Sequence, residues 1–204
     1  MRICLREPDA VRELAENNLT LSVEQHFSVF IAVALCARGW AMIQQGDSVE
    51  GIAQMRQGLS ILDAGGALIG QSYWMSALLE GFLEPERASE GLRIVDQALA
   101  QSRHGLTRYY DSQLHRLKAE LLMLVDPSNQ SAAEGCMRRA LRIAGQQGAK
   151  VQELRAAMSL SRLLHQQERT NEARSLLSPI CDWFTEGPDT SDLREARALL
   201  ARLR

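Results

Sequence analysis

The stretch EGIAQMRQGLSIL, residues 50–62, returns forty residues later as EGLRIVDQALAQS, residues 90–102. Both copies begin with Glu-Gly, and in both the apolar residues recur at intervals of three and four, which is the period of one helical face. Self-similarity at a fixed period indicates a repeat protein, in which each unit buries its apolar face only against its neighbours. This sequence repeat therefore predicts the fold class.

The same repeat register continues through the rest of the chain. An early position of the second helix of each unit is occupied by a small residue at Gly51, Gly91, Ala133 and Ala173. The corresponding series in the first helices is Gly39, Leu79, Ala119 and Ser161. All spacings are 40 or 42 residues, and the longer unit carries its extra residues in the turn sequence DPSN, residues 126–129. An insertion in a solvated turn leaves the helix packing unchanged.

Turn residues divide the chain into ten predicted helices. The predicted spans are 9–25, 28–45, 48–64, 70–84, 87–102, 108–125, 130–146, 150–167, 170–185 and 190–203. Gly46 and Asp47 stop one helix and cap the next, and Pro85 is expected to end the fourth. Ser128 or Asn129 is expected to cap the seventh helix.

The predicted fold is all-α: a right-handed α-α superhelix, a TPR-like solenoid of about four helical hairpins. We expect a single domain, 1–204, with repeats at about 28–64, 70–102, 108–146 and 150–185. An orphan helix precedes them, and a capping helix at 190–203 follows, with Trp183 and Phe184 expected to pack it onto the last repeat.

Composition limits the class of function. The 204 residues are 46 % hydrophobic and 24 % charged, with a formal net charge of −2, so nucleic acid is not an expected partner. The most apolar run, 27–43, is shorter than a membrane span and contains Arg38, which predicts a buried helix and no membrane partner. The N-terminus lacks the apolar segment of a signal peptide, so a cytoplasmic location is expected.

Two resemblances follow from these residues. Gly39, the Gly46-Asp47 turn, Gly51 and Gly58 form a skeleton that resembles the tetratricopeptide repeat, although the forty-residue period exceeds the usual ~34. In addition, GWAMIQQGDSVEGIAQMRQGL (39–59) and DWFTEGPDTSDLREARALL (182–200) resemble the C-terminal helical-repeat tail of large bacterial proteins. Those proteins carry a class III adenylate/guanylate cyclase or transcriptional-regulator domain and a predicted ATPase domain. The resemblance implies a sensory or assembly module in signalling.

No catalytic constellation is visible, so we expect no enzyme activity, no catalytic residue, no cofactor and no metal. The chain has no GxxxxGK[ST] phosphate loop. Asp111 and His115 are four residues apart and could share a helix face, but two ligands are too few for a metal site. Four dispersed cysteines without a CxxC pair indicate free thiols.

The functional surface predicted for such a solenoid is the groove lined by the first helices. Applying the register places these residues along the groove: Trp40, Tyr73, Glu80, Arg116, Glu120, Arg155 and Arg162. A lining of mixed charges and aromatics suits an extended peptide or a polar effector. The alternative is that these charges pair with one another across adjacent helices and serve only packing.

Two functions therefore remain open. The first is a non-catalytic scaffold for protein–protein interaction or self-association in bacterial signal transduction, with a protein or peptide partner, or a homodimer through the N-terminal helix. The segment LAENNLTLSV, residues 14–23, is expected to expose an apolar flank there. The second is an effector-sensing regulatory domain that binds a small polar ligand in the concave groove.

Overall fold

A computed structural model describes residues 2–66, 70–104, 108–186 and 190–203. Gly187, which lies in the 182–200 stretch that carries the second resemblance, is outside these residues. The helices are α1 (Pro8–Glu24), α2 (Ser28–Gln44), α3 (Ser48–Ala64), α4 (Gln71–Glu80), α5 (Ala88–His104), α6 (Asp111–Val125), α7 (Gln130–Gln147), α8 (Lys150–Gln166), α9 (Thr170–Asp182) and α10 (Ser191–Arg202). The described part of the chain contains no strand, which confirms the all-α prediction.

The helices stack in sequence order. Each packs against the next along the chain, and the even-numbered helices also touch in succession, α2 to α4, α4 to α6, α6 to α8 and α8 to α10. Within the described ranges, the odd-numbered helices α3, α5, α7 and α9 make no such close backbone contact with one another. Close spacing in one row and wide spacing in the other bends the stack, so the even-numbered helices form an inner row.

Long side chains bridge the outer row. Arg56 of α3 pairs with Glu90 of α5 at 2.5 Å, and Arg138 of α7 pairs with Glu172 of α9 at 2.6 Å. The partners in each pair are 34 residues apart and occupy equivalent register positions. The same ion pair therefore recurs at two interfaces, as a repeat requires.

Small residues set the close crossing of α2 and α3. A Cβ atom on Gly39 would lie 2.6 Å from the carbonyl oxygen of Gly51, and one on Gly51 would lie 2.6 Å from that of Gly39. A Cβ atom on Gly58 would lie 2.6 Å from the carbonyl oxygen of Ala32. Because backbone cannot yield as a side chain can, these positions require glycine.

The apolar core consists of two clusters that meet at α6. Leu117 and Leu121 belong to the cluster formed with α1 to α5, whereas Ala119 belongs to the cluster formed with α7 to α10. Residues on opposite sides of α6 therefore pack into different halves of the stack. The buried side of α10, Leu193, Ala196, Leu199 and Leu203, closes the second cluster as predicted for a cap.

Four helix ends share one hydrogen-bond pattern. In each, the first or second residue after the helix has positive φ, its N–H donates to the carbonyl three residues back, and the next N–H donates to the carbonyl five residues back. The positive-φ residues at these ends are His26, Gly46, Gly148 and Glu168. Glycine adopts this conformation without strain, whereas a side chain with a Cβ does not.

Three local predictions are wrong. Helix α4 ends at Glu80, five residues before Pro85, because the chain tightens there into successive turns that bond each N–H to the carbonyl three residues back, through Leu83. The side chain of Asn129 does not cap α7 but donates from Nδ2 to the carbonyl oxygen of Leu122 at 3.2 Å. Trp183 is 57 % exposed beneath Lys150 Nζ, although Phe184 does pack on the core.

The segment before α1 reaches the other end of the stack. Arg155 of α8 donates from Nη2 to the carbonyl oxygen of Cys4 at 3.0 Å, and Arg6 Nη1 lies 3.9 Å from Glu195 Oε1 of α10. The first residues of the chain therefore cross the inner row. As for membranes, none of the described helices combines the length and apolarity that a bilayer crossing requires.

Candidate functional site

A cavity of about 400 Å³ lies against the inner row. Helices α2, α4, α6, α8 and α10 contribute to its wall, and Arg6 from the N-terminal segment joins them. Five of the predicted groove residues line it: Glu80, Arg116, Glu120, Arg155 and Arg162. The repeat register thus brings these side chains together in space, while their role in binding stays a prediction.

The two aromatic residues predicted for the groove, Trp40 and Tyr73, are not among the residues that line this cavity. Trp40 is only 2 % exposed, and its indole Nε1 donates to Glu80 Oε2 at 3.1 Å. Tyr73 is half-buried and packs against Trp74 and Tyr110, with ring centroids 4.8 and 5.1 Å away. Burial is the main reason that the pKa of the Tyr73 phenol is raised, so it remains a neutral side chain at physiological pH.

Two ion pairs lie in the wall formed by α6, α8 and α10. Arg116 Nη1 donates to Glu120 Oε1 at 2.7 Å, and Ser159 Oγ donates to the same oxygen at 2.7 Å. Arg155 donates from Nε and Nη2 to Asp192 Oδ2 at 3.0 and 2.8 Å. Arg116 and Glu120 thus pair within α6, with Ser159 of α8 joined to the same carboxylate, whereas Arg155 and Asp192 pair between α8 and α10.

Only one of the two carboxylate oxygens of Asp192 accepts a hydrogen bond from the described residues. Its carboxylate is nine-tenths buried, and the oxygen Oδ1 has no hydrogen-bond partner among the described residues. A buried acceptor without a partner costs free energy, so the Arg155 contact must hold the carboxylate in place. Asp192 thus fixes the position of Arg155 in the cavity wall.

Two further carboxylates line the ends of the cavity. Glu84 accepts from Ser48 Oγ at 2.8 Å and from Arg87 Nη1 at 2.5 Å. Glu195 lies between two arginines, because Arg162 Nη2 approaches at 3.2 Å and Arg6 Nη1 at 3.9 Å. One carboxylate cannot neutralise two guanidinium groups, so this end of the cavity carries excess positive charge.

Glu80 differs from every other carboxylate in the wall. Its oxygen Oε2 accepts from Trp40 Nε1 and from Gln44 Nε2 at 2.9 Å, and both donors are neutral. In the described ranges no Lys, Arg or His lies within ion-pair distance of it. Glu80 therefore has no direct ion pair among the described residues, although its charge acts at longer range on Arg155 and helps to raise the pKa of that guanidinium group.

The cavity is consequently dipolar and close to neutral overall. Its wall contains the four arginines Arg6, Arg116, Arg155 and Arg162 and five carboxylates, and the charge of Glu84 is offset by Arg87 outside the wall. The remaining charges balance in number but not in place. Glu80 has no direct ion pair among the described residues, whereas Arg6 and Arg162 share the single carboxylate of Glu195.

An apolar groove adjoins the cavity. It has a volume of about 570 Å³ and shares Glu120 and Arg162 with the cavity wall. The apolar lining comes from α6, the turn after it, α7 and α8: Met123, Leu124, Pro127, Met137 and Leu163. Two methionines give this groove an adaptable surface, which suits apolar side chains of a peptide.

The Asp111–His115 pair does not form part of a metal site in the described residues. Asp111 is buried, accepts from Ser102 Oγ through a short hydrogen bond, and accepts from Arg108 Nε at 3.3 Å. No group of three or more His, Cys, Asp or Glu side chains in the described ranges is arranged to hold a metal ion. The carboxylate instead joins the end of α5 to the start of α6.

The cysteines differ in their surroundings. All four are free thiols; Cys4 is exposed, whereas Cys36 is fully buried against α3. Burial raises the pKa of the Cys36 thiol to about 12, so it stays protonated and unreactive at neutral pH. Cys36 is therefore a packing residue.

A set of six exposed apolar side chains lies on α1, at the turn after it and at the start of α2. Its members are between 48 % and 59 % exposed: Leu14, Leu21, Val23, Phe27, Val29 and Phe30. The rings of Phe27 and Phe30 lie edge to face with centroids 6.1 Å apart. We call these six residues the N-terminal apolar patch. The exposed flank predicted for the orphan helix is present there.

Sequence reasoning missed part of the cavity wall. Asp192 and Glu195 belong to α10, which follows a second helix and so takes the place of a first helix in a fifth unit. The order of the helices in the chain could therefore have predicted that α10 contributes to the cavity wall. No such signal was available for Arg6, because it lies before α1 in a segment without helical periodicity.

The class of protein that these features define is an all-helical repeat protein with a polar cavity on its inner row. Comparison with protein-family models finds no family that matches the chain, and comparison with curated proteins finds no similar one.

Proposed function

We propose that the chain is a non-catalytic helical-repeat scaffold that mediates protein–protein interaction or self-association in bacterial signal transduction. The N-terminal apolar patch is the observation that carries this proposal. Exposed apolar clusters bounded by polar surface are typical of docking sites, whereas single exposed apolar residues are ordinary. The signalling context rests on the resemblance of the repeats to the tails of cyclase and regulator proteins.

The position of the patch agrees with this role. Helix α1 packs on α2 alone among the described helices, so no other described helix covers the side of α1 that faces away from α2. In a repeat array an uncapped end exposes the apolar surface that a neighbouring unit would cover. A second copy of the chain or another protein would remove that surface from water.

Sedimentation velocity over a wide range of concentration tests self-association. The variant Phe27→Ser/Phe30→Ser removes the two aromatic rings of the patch and should shift the protein toward monomer. Val49→Ser is the matched control, because Val49 is an exposed apolar residue of α3 outside the patch. Circular dichroism melting checks that both variants fold.

Affinity capture from native cell extract tests a different partner. A protein retained by the wild-type chain and by Val49→Ser, but lost with Phe27→Ser/Phe30→Ser, supports docking at the patch. If the wild-type chain is monomeric at every concentration and no captured protein depends on the patch, the proposal is abandoned.

We infer as a second candidate that the domain senses an effector by binding a small polar ligand in the cavity. The dipolar charge pattern of the cavity favours this function, and its volume falls in the range of about 300–1,000 Å³ usual for small-molecule sites. A ligand there would contact α4, α8, α10 and the N-terminal segment at once. Ligand binding would therefore connect helices from both halves of the stack.

A thermal-shift screen of small polar metabolites tests the second candidate. Any true ligand should raise the melting temperature of the wild-type chain by mass action. Arg116→Gln, which alters a residue of the wall, should reduce that rise, whereas Arg56→Gln on the outer row should not. The absence of any ligand whose effect depends on the cavity would exclude this function.

A further inference from the structure

We propose that the cavity binds a small zwitterion, with the ligand's ammonium group at Glu80 and its carboxylate at Arg6 and Arg162. This inference rests on the second candidate function, because it names the class of ligand for the same cavity. It follows from where the unbalanced charges lie and which hydrogen-bonding groups remain unused.

The Glu80 end is built to receive a cation. Trp40 and Gln44 both donate to Oε2, which fixes the carboxylate and leaves Oε1 without a hydrogen bond among the described residues. A partly buried carboxylate that faces only neutral donors is poorly compensated for its lost hydration. An ammonium group supplies both the opposite charge and several N–H donors.

The opposite end is built to receive an anion. Arg162 uses one hydrogen bond, from Nη2 to Glu195, and Arg6 approaches the same carboxylate only at 3.9 Å. A guanidinium group has five N–H donors arranged to match a carboxylate, so donors at this end remain unused. A ligand carboxylate would neutralise the second of the two arginines.

The balance of charge selects a zwitterion over a simple ion. Within the wall, Arg116 is paired with Glu120 and Arg155 with Asp192, so neither pair favours extra charge. A dication would satisfy Glu80 but add repulsion at the arginine end, and a dianion would do the reverse. Only a ligand that carries both signs at separate ends complements the cavity.

Isothermal titration calorimetry with the full chain tests this proposal. The probes are glycine, γ-aminobutyrate, 6-aminohexanoate and diglycine, whose charges are held progressively farther apart or joined by a peptide bond. At least one should bind, and the best one reports the separation of the two ends. Hexylamine and hexanoate each lack one charge of 6-aminohexanoate, and each should bind at least roughly tenfold more weakly than the best zwitterion.

Variants at both ends complete the test. Glu80→Gln keeps an acceptor for Trp40 and Gln44 but removes the charge, and it should weaken the best zwitterion roughly tenfold or more. Arg162→Gln should do the same from the other end, so the proposal does not depend on one variant folding. Glu90→Gln, in the Arg56 pair of the outer row, should leave binding unchanged.

The outcomes separate this inference from the function on which it rests. If no zwitterion binds, or if hexylamine binds as tightly as 6-aminohexanoate, the inference is overturned. If instead putrescine or citrate binds and Arg116→Gln abolishes that binding, the inference is equally overturned while the cavity keeps its sensing function. If none of these probes binds and the metabolite screen is also negative, both the zwitterion inference and the sensing function are overturned.

Discussion

Trp40 and Glu80 are forty residues apart in the sequence and 3.1 Å apart in space, from indole Nε1 to carboxylate Oε2. They occupy equivalent positions, one residue after Gly39 and Leu79, in two adjacent helices of the inner row. A similar step brings Ser159 Oγ to Glu120 Oε1 at 2.7 Å, across 39 residues. The sequence period is thus expressed as direct contact between equivalent helices, and the cavity lies where those contacts occur.

The Trp40–Glu80 contact predicts a difference between two substitutions. Glu80→Ala leaves the buried indole N–H and the Gln44 amide without their acceptor, so the free energy of unfolding should fall by about 1–3 kcal/mol. Glu80→Gln retains a carbonyl oxygen in the same place and should cost less than about 1 kcal/mol. Urea denaturation of both variants measures this difference.

The control for this pair is Glu90→Ala, which removes an exposed carboxylate of the outer row. An exposed ion pair contributes little, so Glu90→Ala should change the free energy of unfolding by less than about 1 kcal/mol. Equal losses in Glu80→Ala and Glu80→Gln would mean that charge, and not hydrogen bonding, holds Glu80 in the wall.

The glycines at the α2–α3 crossing predict a second contrast. Gly51→Ala places a Cβ 2.6 Å from the carbonyl oxygen of Gly39, so the helices must separate and stability should fall by about 1–3 kcal/mol or more. Gly135→Ala is the matched change in α7, where a Cβ meets no atom within 4 Å. Alanine should stabilise that helix by roughly 0.5–1 kcal/mol.

Thermal and urea unfolding of the two glycine variants provide the measurement. Opposite signs are expected, because the same chemical change meets backbone at Gly51 and solvent at Gly135. Two stabilising or two neutral results would show that the α2–α3 crossing is not limited by backbone contact.

The periodic part of the fold could be predicted from sequence because its causes are local or strictly repeated. Small residues at Gly39, Gly51 and Ala133 mark close crossings, and these positions are buried as the register requires. The positive φ of His26 and Glu168 could not be predicted, because residues other than glycine seldom adopt that conformation, even though histidine does so more often than most. The hydrogen-bonding pattern of the helix end imposes it there.

Some residues of the candidate site could likewise be predicted from the sequence, and others could not. Glu80, Arg116 and Arg162 follow from the register, since each lies on the inner side of a first helix. Arg6 does not follow, because it reaches the cavity through the contact of the N-terminal segment with Glu195 of α10. Such contacts depend on how strongly the whole stack curves, and no local pattern encodes that curvature.

The helix end after α8 predicts a stabilising substitution. Glu168 has φ of 62° and is exposed, so Glu168→Gly relieves backbone strain at no cost in packing. The free energy of unfolding should rise by roughly 0.5–1 kcal/mol. The converse change, Gly148→Ala, introduces a Cβ at φ of 64° and should lower stability by a similar amount.

Chemical denaturation of the two variants gives the free energies, and the sign of each is decisive. A destabilised Glu168→Gly would indicate that the backbone at this end is not strained and that the glycine costs more entropy in the unfolded chain.

The ion-pair network between α7 and α9 predicts a dependence of stability on pH. Hydrogen bonds from Arg169, and secondarily from Arg138, hold the pKa of Glu134 below its usual value of 4.5. A carboxyl whose pKa is lowered by folding stabilises the protein at pH above 4.5, and that contribution is lost as the pH falls through the lower, folded pKa. Glu134→Gln removes the contribution at all pH values.

Urea unfolding of the wild-type chain and of Glu134→Gln on both sides of pH 4.5 should therefore show a gap that is largest above this pH and shrinks on acidification. Added salt should narrow the gap at neutral pH, because Arg138 and Arg169 are partly exposed and their charges are screened. Glu13→Gln controls for the loss of an exposed carboxylate, since Glu13 forms no ion pair among the described residues. A gap that stayed constant through the acid range would mean that Glu134 stabilises the α7–α9 interface through packing, since packing does not titrate.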